Sequence, residues 1–416
     1  MNIKLQPVRG THDHLPETMY NFNNITSKAE KISSLYGFKP MATPIFEFSN
    51  VFKKTLGESS DIVTKEMYTF NDKGGEEITL RPEGTAGIVR AIISNGLSQN
   101  MPFKAFYHGP MFRYERPQKG RLRQFHQIGI ELLGTINEQA DIEVIACGNN
   151  ILKELNIKDT SNLEINSLGS ISNRRRYIKK LTQYLDSFKD QLSIDSKKRL
   201  IKNPLRILDS KSEEDIEILK NAPKLIEYLD DESKNNFKVV LEGLDDLSIT
   251  YNINHNLVRG LDYYNNITFE FVTDQLGAQS AIIAGGRYDN LMKQMGGPDI
   301  PGVGWAAGLE RLSLLTKIKE VKKKIISIIP IGEKNHSICL KLAQELRNKN
   351  ISIDMGYSGN LKKRLKNANK ISSNFAVIIG DEEIKYNIAI IRNLETGIQE
   401  KITLKNIIQH IEKILI

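Results

Sequence analysis

The residues best suited to chemistry lie on two strand-like segments between positions 103 and 134. Arg113 stands in the first, within the letters FRYE at 112–115, and period-two alternation puts Gln127 and Glu131 on one face of the second, roughly 13 Å apart. An arginine fork over a polar, acidic floor can hold a carboxylate and a phosphate oxygen together. The alternative is a structural ion pair between Arg113 and Glu131, the usual role of an isolated arginine.

A second segment, GVGWAAGLERL at 302–312, combines small residues with one arginine. Small residues at alternate positions let the backbone come close to other backbone or to a ligand. We expect a final helix from Gly304 through Leu315, in which Arg311 could stack its guanidinium on a planar base. The alternative is a helix packed tightly against a sheet.

Two further segments combine glycine, arginine and tyrosine beside expected strands, LVRGLDYY at 257–264 and AGGRYD at 284–289. This composition is typical of a preorganised polar site. Turn formation with an incidental ion pair explains it as well, so the residues alone leave the choice open. His12 and His14 are too few and too isolated to predict a metal site.

The elements that must position these segments follow from periodicity. Helical spacing predicts a helix over 18–36, and two prolines make 38–46 an extended edge segment. Strands are expected at 106–114 and around 125–132, the latter with a mostly apolar opposite face that meets the core. The loop between them, 115–123, is too long for a tight hairpin turn, and its four cations make it costly to order without a partner.

Farther along, the chain becomes helical and highly charged from Arg174 to about Gly243, which we interpret as an insertion. After Lys322-Lys323-Lys324, strands alternate with helices, which predicts a small α/β domain of about 90 residues. The expected later elements are strands at 248–253, 267–272, 280–283, 325–331, 351–355 and 375–379, and helices at 336–349, from 361 and from 404.

Composition limits the class of protein. The chain has 416 residues, of which 40% are hydrophobic and 26% charged, so two or three globular domains are expected. We expect neither a membrane span nor a secretory signal, because no apolar run approaches ~18 residues and charged residues interrupt the N-terminal segment. Two distant cysteines predict neither a disulfide framework nor a metal site, as in a reducing compartment. The net charge of +8 suits a polyanionic partner but does not require one.

Together these segments resemble the histidyl-tRNA synthetases, a family of class II aminoacyl-tRNA synthetases. Residues 37–46 resemble motif 1, which forms the dimer interface in the family. The FRYE run, the basic loop and Phe125 resemble motif 2, and residues 304–312 resemble motif 3. The segments at 257–264 and 284–289 are similar to the two histidine-specific signatures. The runs PVRGT at 7–11 and RPEGT at 81–85 agree with the same family.

The resemblance implies an α+β fold, in which an antiparallel sheet of about six strands is flanked by helices. Residues 1–322 would form the class II catalytic domain, including a helical insertion at about 170–243. Residues 325–416 would form an α/β anticodon-binding domain. A cytoplasmic homodimer is expected, without a membrane partner.

The resemblance also implies roles for individual residues in making histidyl-adenylate from ATP and L-histidine, and in transferring histidine to tRNA(His). The catalytic residues would be Arg113 and Arg259. ATP would be bound, together with Mg²⁺ whose ligands are unassigned, by Arg113, Glu115, Arg121, Phe125 and Arg311. Histidine would be bound by Glu83, Thr85, Gln127, Glu131, Arg259, Tyr263, Tyr264, Ala284 and Tyr288. The tRNA would be contacted by Arg116, Gln118, Arg121, Lys362, Lys363, Arg364 and Lys366.

Two other functions stay open at this point. One is a catalytically silent, histidine-binding regulatory subunit of ATP phosphoribosyltransferase. Such proteins resemble the catalytic core but generally lack the anticodon domain and residues of the ATP site. The other is a class II synthetase for a different amino acid, such as threonine or proline.

Overall fold

The computed structural model describes residues 5–57, 60–277, 281–316 and 324–415. The chain divides into two compact units, Met1–Ile318 and Lys319–Ile416. The domain boundary expected at residue 322 lies outside the described residues.

The first unit contains a large sheet, a small sheet and the helices that pack against them. Its strands are β1 (Lys39–Pro40), β2 (Phe46–Phe48), β3 (Tyr68–Asn71), β4 (Glu77–Leu80), β5 (Phe103–Phe112), β6 (Gln124–Leu133), β7 (Asn162–Ser167), β8 (Tyr251–Ile253), β9 (Asn265–Val272), β10 (Ala281–Arg287) and β11 (Gly302–Gly308). Its α-helices are α1 (Pro16–Leu35), α2 (Asn50–Lys53), α3 (Thr85–Ser94), α4 (Glu138–Glu154), α5 (Ile171–Asp186), α6 (Ile194–Lys202), α7 (Glu213–Leu219), α8 (Asp231–Asp246), α9 (Leu291–Gln294) and α10 (Leu309–Leu315). Shorter helical turns are the π-helical Ile62–Glu66 and the 3₁₀ turns Leu97–Gln99, Lys158–Thr160, Lys189–Gln191, Pro204–Ile207, Leu225–Tyr228 and Asp274–Leu276.

The described residues place eight strands in the large sheet, in the order β1-β5-β6-β11-β10-β9-β7-β8. The six central strands pair antiparallel with their neighbours. The two edge strands, β1 and β8, pair in parallel. The predicted antiparallel sheet flanked by helices is therefore confirmed, with a short parallel strand added at each edge.

Strand β6 shows why one face of this sheet can carry polar groups. Ile128, Ile130 and Leu132 are fully or almost fully buried in the main core, which also contains residues of α1 and α4. Because successive side chains of a strand point to opposite faces, Gln127 and Glu131 lie on the other side. The alternation expected from the sequence is the one found.

Residues 302–308 form a strand and not the start of a helix, so that prediction was wrong. β11 pairs with β6 on one side and β10 on the other, which satisfies the backbone groups of all three strands. The approach is close, since a Cβ atom on Gly285 would lie 2.6 Å from that of Trp305. The helix itself begins at Leu309, and Arg311 lies in its first turn.

Between β7 and β8, the chain forms the helices α5 to α8, where a charged helical insertion was expected. α5 and α6 bury Tyr177 and Leu200 in an apolar cluster that also contains Tyr263 and Tyr264. α8 instead contributes Phe237 and its apolar neighbours to the main core. The helical segment is thus packed against both the core and the loop that ends in Tyr264.

The second unit has its own sheet and core. Its strands are β12 (Ile325–Pro330), β13 (Ser352–Met355), β14 (Phe375–Ile379), β15 (Ile388–Asn393) and β16 (Gln399–Thr403), and its helices are α11 (His336–Asn348), α12 (Leu361–Lys370), α13 (Asp381–Lys385) and α14 (Ile407–Leu415), with a 3₁₀ turn at Glu333–Asn335. The strand order is β13-β12-β14-β15-β16, parallel around β12 and antiparallel from β14 onward. The closing helix begins at Ile407, three residues later than expected. None of the helices described in either unit has the length and apolar character of a membrane span.

Candidate active site

The floor of the site is a row of side chains across five adjacent strands. The row runs from Tyr107 in β5 through Gly129, Ala306 and Ala284 to Glu270 in β9, each residue opposite the next. Directly opposite residues of antiparallel strands share a face of the sheet. The small side chains of Ala306 and Ala284, both partly exposed, therefore leave a trench above the sheet between large polar residues at the two ends of the row.

Glu83 organises one wall of this trench. Its carboxylate accepts the backbone N–H groups of Thr85 at 2.8 Å and Ala86 at 2.7 Å, the first two residues of α3. These N–H groups have no partner inside the helix, and the positive end of the helix dipole favours a carboxylate there. Glu83 is nonetheless 4% exposed, and burial raises its pKa.

Glu131 lies at the centre of a buried hydrogen-bond network. Its carboxyl group accepts from Thr85 Oγ1 at 2.6 Å and from the Tyr288 hydroxyl, and the residue is fully buried. A side chain on Gly304, directly opposite in β11, would overlap this carboxyl group. Burial raises the pKa of Glu131 to about 8. The group is therefore mainly protonated at neutral pH.

Three tyrosines pack around this carboxyl group. The rings of Tyr263 and Tyr264 are 4.6 Å apart, and the ring of Tyr288 lies 5.8 Å from that of Tyr263. The Tyr263 hydroxyl approaches Glu83 Oε2 at 3.5 Å. The two glycine–arginine–tyrosine segments, which are distant in sequence, thus meet at one buried polar pocket.

Tyr107 completes the pocket and was missed by the sequence reasoning. It is buried, and its ring fills the space left by Gly84 and Gly129, where added side chains would overlap it. Since Tyr107 is directly opposite Gly129, the alternation that identified Glu131 also identifies Tyr107 once the pairing of β5 with β6 is known. The pairing register was the missing information.

Gln127 and Ala284 lie on the same face of the sheet. Gln127 is opposite Gly109 in β5 and Gly308 in β11, so its side chain has no bulky neighbour on either strand. Its Oε1 atom is buried and accepts no hydrogen bond from the described residues. A buried acceptor without a donor is a position at which a ligand N–H group can bind.

Arg113 directly follows β5 and lies at the Tyr107 end of the trench. Its Nε donates to the Pro82 carbonyl at 2.8 Å, and its guanidinium lies 5.3 Å from the ring of Phe125. Its Nη1 is 3.8 Å from Glu115 Oε1, and Arg121 Nε is 2.6 Å from Glu115 Oε2. The charged partner found for Arg113 is thus Glu115, in place of the Glu131 pair that the sequence left open.

Arg311 reaches from α10 to the loop that follows Arg113. Its Nη1 donates to the Ala281 carbonyl at 2.7 Å and its Nε to the Gly120 carbonyl at 3.3 Å. The connection between β5 and β6 is too long for a tight hairpin turn, as expected, and within it Gln118 and Arg121 exchange two backbone hydrogen bonds. Gly120 adopts a φ of +72°, which glycine tolerates without strain. The tight turn places the Gly120 carbonyl against Arg311.

Arg259 is at the far end of the trench. It forms an ion pair with Glu270, and its guanidinium lies 5.4 Å from the ring of Tyr264. The segment that carries it is tied to the helical insertion, because Arg174 Nη1 donates to the Tyr264 carbonyl at 2.6 Å and Asn203 Nδ2 donates to Asp262 Oδ1 at 3.1 Å. The insertion therefore fixes the backbone around Arg259.

Comparison with known proteins decides the family. Residues 10–312 match the family Histidyl-tRNA synthetase, and residues 326–414 match the Anticodon binding domain. The chain belongs to the histidyl-tRNA synthetase family. It is 51% identical over 401 residues to a histidine–tRNA ligase of Rhodospirillum rubrum, covering 96% of this chain and 97% of that protein. It is 50% identical to a histidine–tRNA ligase of Wolbachia pipientis subsp. Culex pipiens, covering 98% and 99%.

A solved structure supports the same assignment. The apo histidyl-tRNA synthetase of S. aureus superposes with a TM-score of 0.81 and is 33% identical, covering 98% of this chain and 99% of that one. The resemblance stated from the sequence is therefore confirmed, and so is the fold that it implied.

Arg287 of the second signature has a structural partner. Its Nε lies 3.1 Å from both carboxylate oxygens of Asp141 in α4, and its Nη1 donates to the Thr135 carbonyl at 2.9 Å. Both charged side chains are at least 96% buried. Of the two interpretations that the sequence left open for this segment, the ion pair holds for Arg287, while Ala284 and Tyr288 line the trench.

The residues expected to contact tRNA fall into two groups. Arg116 and Gln118 are exposed on the motif 2 loop, beside Arg121. In the second unit, residues 362–366 of α12 include four cations, of which three are exposed and one is held by backbone. The exposed ones are Lys362, Lys363 and Lys366. The fourth, Arg364, donates through Nε to the Gly359 carbonyl at 2.8 Å and also donates to the Pro330 carbonyl.

Replacing Glu131 with glutamine should change how stability depends on pH. The folded-state pKa is raised to about 8 from an ordinary value of 4.5, so the folded state binds more protons between these values. Wild-type stability is thus fully present below about pH 4.5 and is lost as the pH rises through about 8. The Glu131→Gln variant keeps a neutral polar group, so its stability should gain up to about 4 kcal/mol relative to wild type between pH 5 and 8.5.

The measurement is urea unfolding of both proteins without ligands at pH 5 and pH 8.5. The matched control is Glu232→Gln, an exposed carboxyl group of α8 outside this network. A stability difference between wild type and Glu131→Gln that stays constant across the two pH values would contradict the buried, protonated state of Glu131.

Proposed function

We infer that the protein is a histidine–tRNA ligase, which activates L-histidine with ATP to histidyl-adenylate, releases diphosphate, and transfers histidine to the 3′ end of tRNA(His) with release of AMP. The observation that carries this function is the meeting of both histidine-specific segments at one buried polar pocket around Glu131. The curated relatives and the match at both domains support the same reaction.

We propose that residues 1–322 form the catalytic domain, with a helical insertion at about 170–243, and that residues 325–416 form the anticodon-binding domain. Both matches and both compact units support this division. The silent regulatory alternative is not supported, because an anticodon-binding domain is present and the curated relatives are ligases over nearly their full length.

Histidine recognition uses the buried groups of the pocket. Glu83, Thr85 and the orphan acceptor of Gln127 accept from the α-ammonium group, while Glu131 and Tyr264 hold the imidazole ring, with Tyr263, Tyr288 and Ala284 lining the pocket. An occupant without two ring nitrogens leaves buried polar groups unpaired. That mismatch can discriminate by about 10⁴-fold or more, so the reaction does not need a separate editing site.

Adenylation depends on position and charge. One carboxylate oxygen of histidine attacks the α-phosphorus in line, forming a new O–P bond as the bond to diphosphate breaks. Arg113 and Arg259, at opposite ends of the trench, neutralise the charge that develops on the α-phosphate. Phe125 and Arg311 hold the adenine from its two faces, and Glu115 and Arg121 complete the nucleotide site.

ATP chemistry of this kind uses Mg²⁺, which prefers carboxylate ligands. The carboxyl groups near the site already have partners. Glu270 is paired with Arg259, and Glu310 accepts the backbone N–H of His126. Glu115 is likewise paired, with Arg113 and Arg121. We propose that Mg²⁺ comes with ATP and shields the phosphate charges, with its protein ligands unassigned.

We propose that the tRNA meets Arg116, Gln118 and Arg121 on the motif 2 loop and Lys362, Lys363, Arg364 and Lys366 on α12. Exposed cations that crowd one turn of a helix suit phosphate contacts. With ATP and tRNA as substrates, we place the enzyme in the cytoplasm.

The small sheet exposes its apolar face, and this supports a homodimer. In the small sheet, ordered β2-β4-β3, Phe48, Ile78 and Phe70 lie opposite one another in one row. Phe48 is 59% and Phe70 is 47% exposed, whereas the alternate residue Thr79 is buried and bonded to Ser49. The sheet thus turns its apolar face outward and its hydroxyl groups inward. An exposed apolar face of this kind marks an interaction surface. We propose that a second copy of the chain packs against it.

The activity is tested by ATP–pyrophosphate exchange with the purified protein, with histidine, threonine or proline as the amino acid. Exchange with histidine alone, followed by charging of tRNA(His), is expected. Exchange with another amino acid but not histidine would identify a different class II synthetase. No exchange by well-folded protein would favour the regulatory subunit.

Arg259→Ala should reduce adenylation much more than histidine binding. Its charge acts mainly in the transition state, so we expect kcat for exchange to fall about 10²-fold or more while the Kd for histidine changes only a few-fold. Stopped-flow and calorimetric measurements give the two quantities. The control is Arg175→Ala, which removes an exposed arginine of α5. Equal losses in rate and in binding would contradict the proposed role.

Changing Lys362, Lys363 and Lys366 together to alanine should weaken tRNA binding and leave adenylation intact. We expect the KM for tRNA to rise about 10-fold or more, with less dependence on salt, because three phosphate contacts are lost. The matched control removes the same charge elsewhere in the unit by changing the exposed Lys341, Lys401 and Lys413 to alanine. An equal effect of both triple variants would assign the loss to net charge instead of to α12.

Changing both Phe46 and Phe48 to serine should dissociate the dimer. Sedimentation equilibrium of the wild type should give twice the chain mass of 47.2 kDa, and the double variant should shift toward a single chain. The control changes Ile136 and Ile201 to serine, which are 78% and 81% exposed outside this sheet. A wild type that sediments as a monomer, or a variant that remains a dimer, would contradict the proposed interface.

A further inference from the structure

Two histidines and a glutamate that are distant in sequence meet on the side of the large sheet opposite the trench. His14 precedes α1, His126 lies in β6, and Glu310 is in the first turn of α10. One ligand atom of each lies within 4.8 Å of the others. His126 Nδ1 is 3.0 Å from Glu310 Oε1, and the rings of His14 and His126 meet edge-on at 5.1 Å.

The cluster is separate from the site already described. His126 directly follows Phe125 and precedes Gln127, so the pleat of β6 turns its side chain to the other face of the sheet. There it contacts His14 and Phe22 of α1, whose ring is 5.5 Å from that of His126. No residue assigned to ATP, histidine or tRNA belongs to the cluster.

The donor set matches a transition-metal ion. Two imidazoles and one carboxylate form the set that Zn²⁺ accepts in sites that leave one position for water. The His126 backbone N–H donates to both Glu310 oxygens, at 2.9 and 3.0 Å, which fixes the carboxylate in place.

Binding one ion would require the three ligand atoms to move only slightly closer together. Two atoms bound to the same tetrahedral Zn²⁺ at about 2.0–2.2 Å lie about 3.3–3.6 Å apart. His126 Nδ1 and Glu310 Oε1 are already closer than this, at 3.0 Å. The largest separation in the cluster exceeds the tetrahedral spacing by at most about 1.5 Å, and rotation of the partly exposed His14 can supply this closure.

We propose that His14, His126 and Glu310 bind one divalent transition-metal ion, with Zn²⁺ as the best match. The ion would connect the N-terminal segment to the motif 2 strand and the motif 3 helix. That segment also packs on the motif 2 loop, where the Gly10 carbonyl accepts the Arg123 N–H at 2.8 Å and a Cβ on Gly10 would lie 2.8 Å from Arg123 Cγ. The bound ion fixes the N-terminal segment over the nucleotide-binding loop.

The test uses the full chain after treatment with a chelator. Calorimetric titration should show one Zn²⁺ bound, and Co²⁺ in its place should give the visible absorption of a four-coordinate ion. Binding that favours the folded state should also raise the Tm. His14→Ala and Glu310→Gln should each lower the affinity at least about 10-fold. The matched control is His12→Ala, an exposed histidine two residues away that should bind as wild type does.

Three outcomes overturn the proposal. Absence of Zn²⁺ binding by wild-type protein excludes the site directly. Binding that survives both His14→Ala and Glu310→Gln places the ion elsewhere. Equal losses from His12→Ala and His14→Ala indicate nonspecific binding to N-terminal histidines. Circular dichroism and the Tm without metal separate a loss of binding from a loss of folding in each variant.

Discussion

The site depends on keeping the Glu131 carboxyl group buried at the centre of the sheet. Removing a carboxylate from water is unfavourable unless the group is neutralised or hydrogen-bonded. Here both occur, since burial raises the pKa to about 8 and hydroxyls of Thr85 and Tyr288 donate to its oxygens. Those donors come from α3 and from the residue that follows β10, so the network also fixes the walls of the pocket.

Burial of the Glu131 carboxyl group requires small residues on the neighbouring strand. A carboxyl group can lie flat above the sheet only if the opposite residue has no side chain, and Gly304 provides this space. Gly129 and Gly84 do the same for the ring of Tyr107. The glycine-rich pattern of motif 3 is therefore explained by what stands above the strands. It is not explained by flexibility of the chain.

Periodic patterns in the sequence predicted most helices and strands. Contacts that depend on which strands pair with one another were missed. Alternation in β6 correctly separated Glu131 from Ile130, and the antiparallel sheet followed from the family resemblance. Strand β11 was taken for a helix because a run of glycine and alanine has no clear period of two or 3.6. Tyr107 and the approach of His14 to His126 were out of reach, because each depends on which strand or segment lies alongside β6.

The helical insertion is more than an addition to the surface. Arg174 donates to the Tyr264 carbonyl and Asn203 donates to the Asp262 side chain, both in the segment that follows Arg259. Tyr177 of α5 shares an apolar cluster with Tyr264. Tilting of α5 or α6 would therefore act on the segment that carries Arg259, for which we propose a role at the α-phosphate. In contrast, Arg113 is held by the Pro82 carbonyl, within the catalytic core. The two arginines proposed for adenylation are thus positioned by different parts of the chain, Arg113 by the catalytic core and Arg259 by a segment that contacts the insertion.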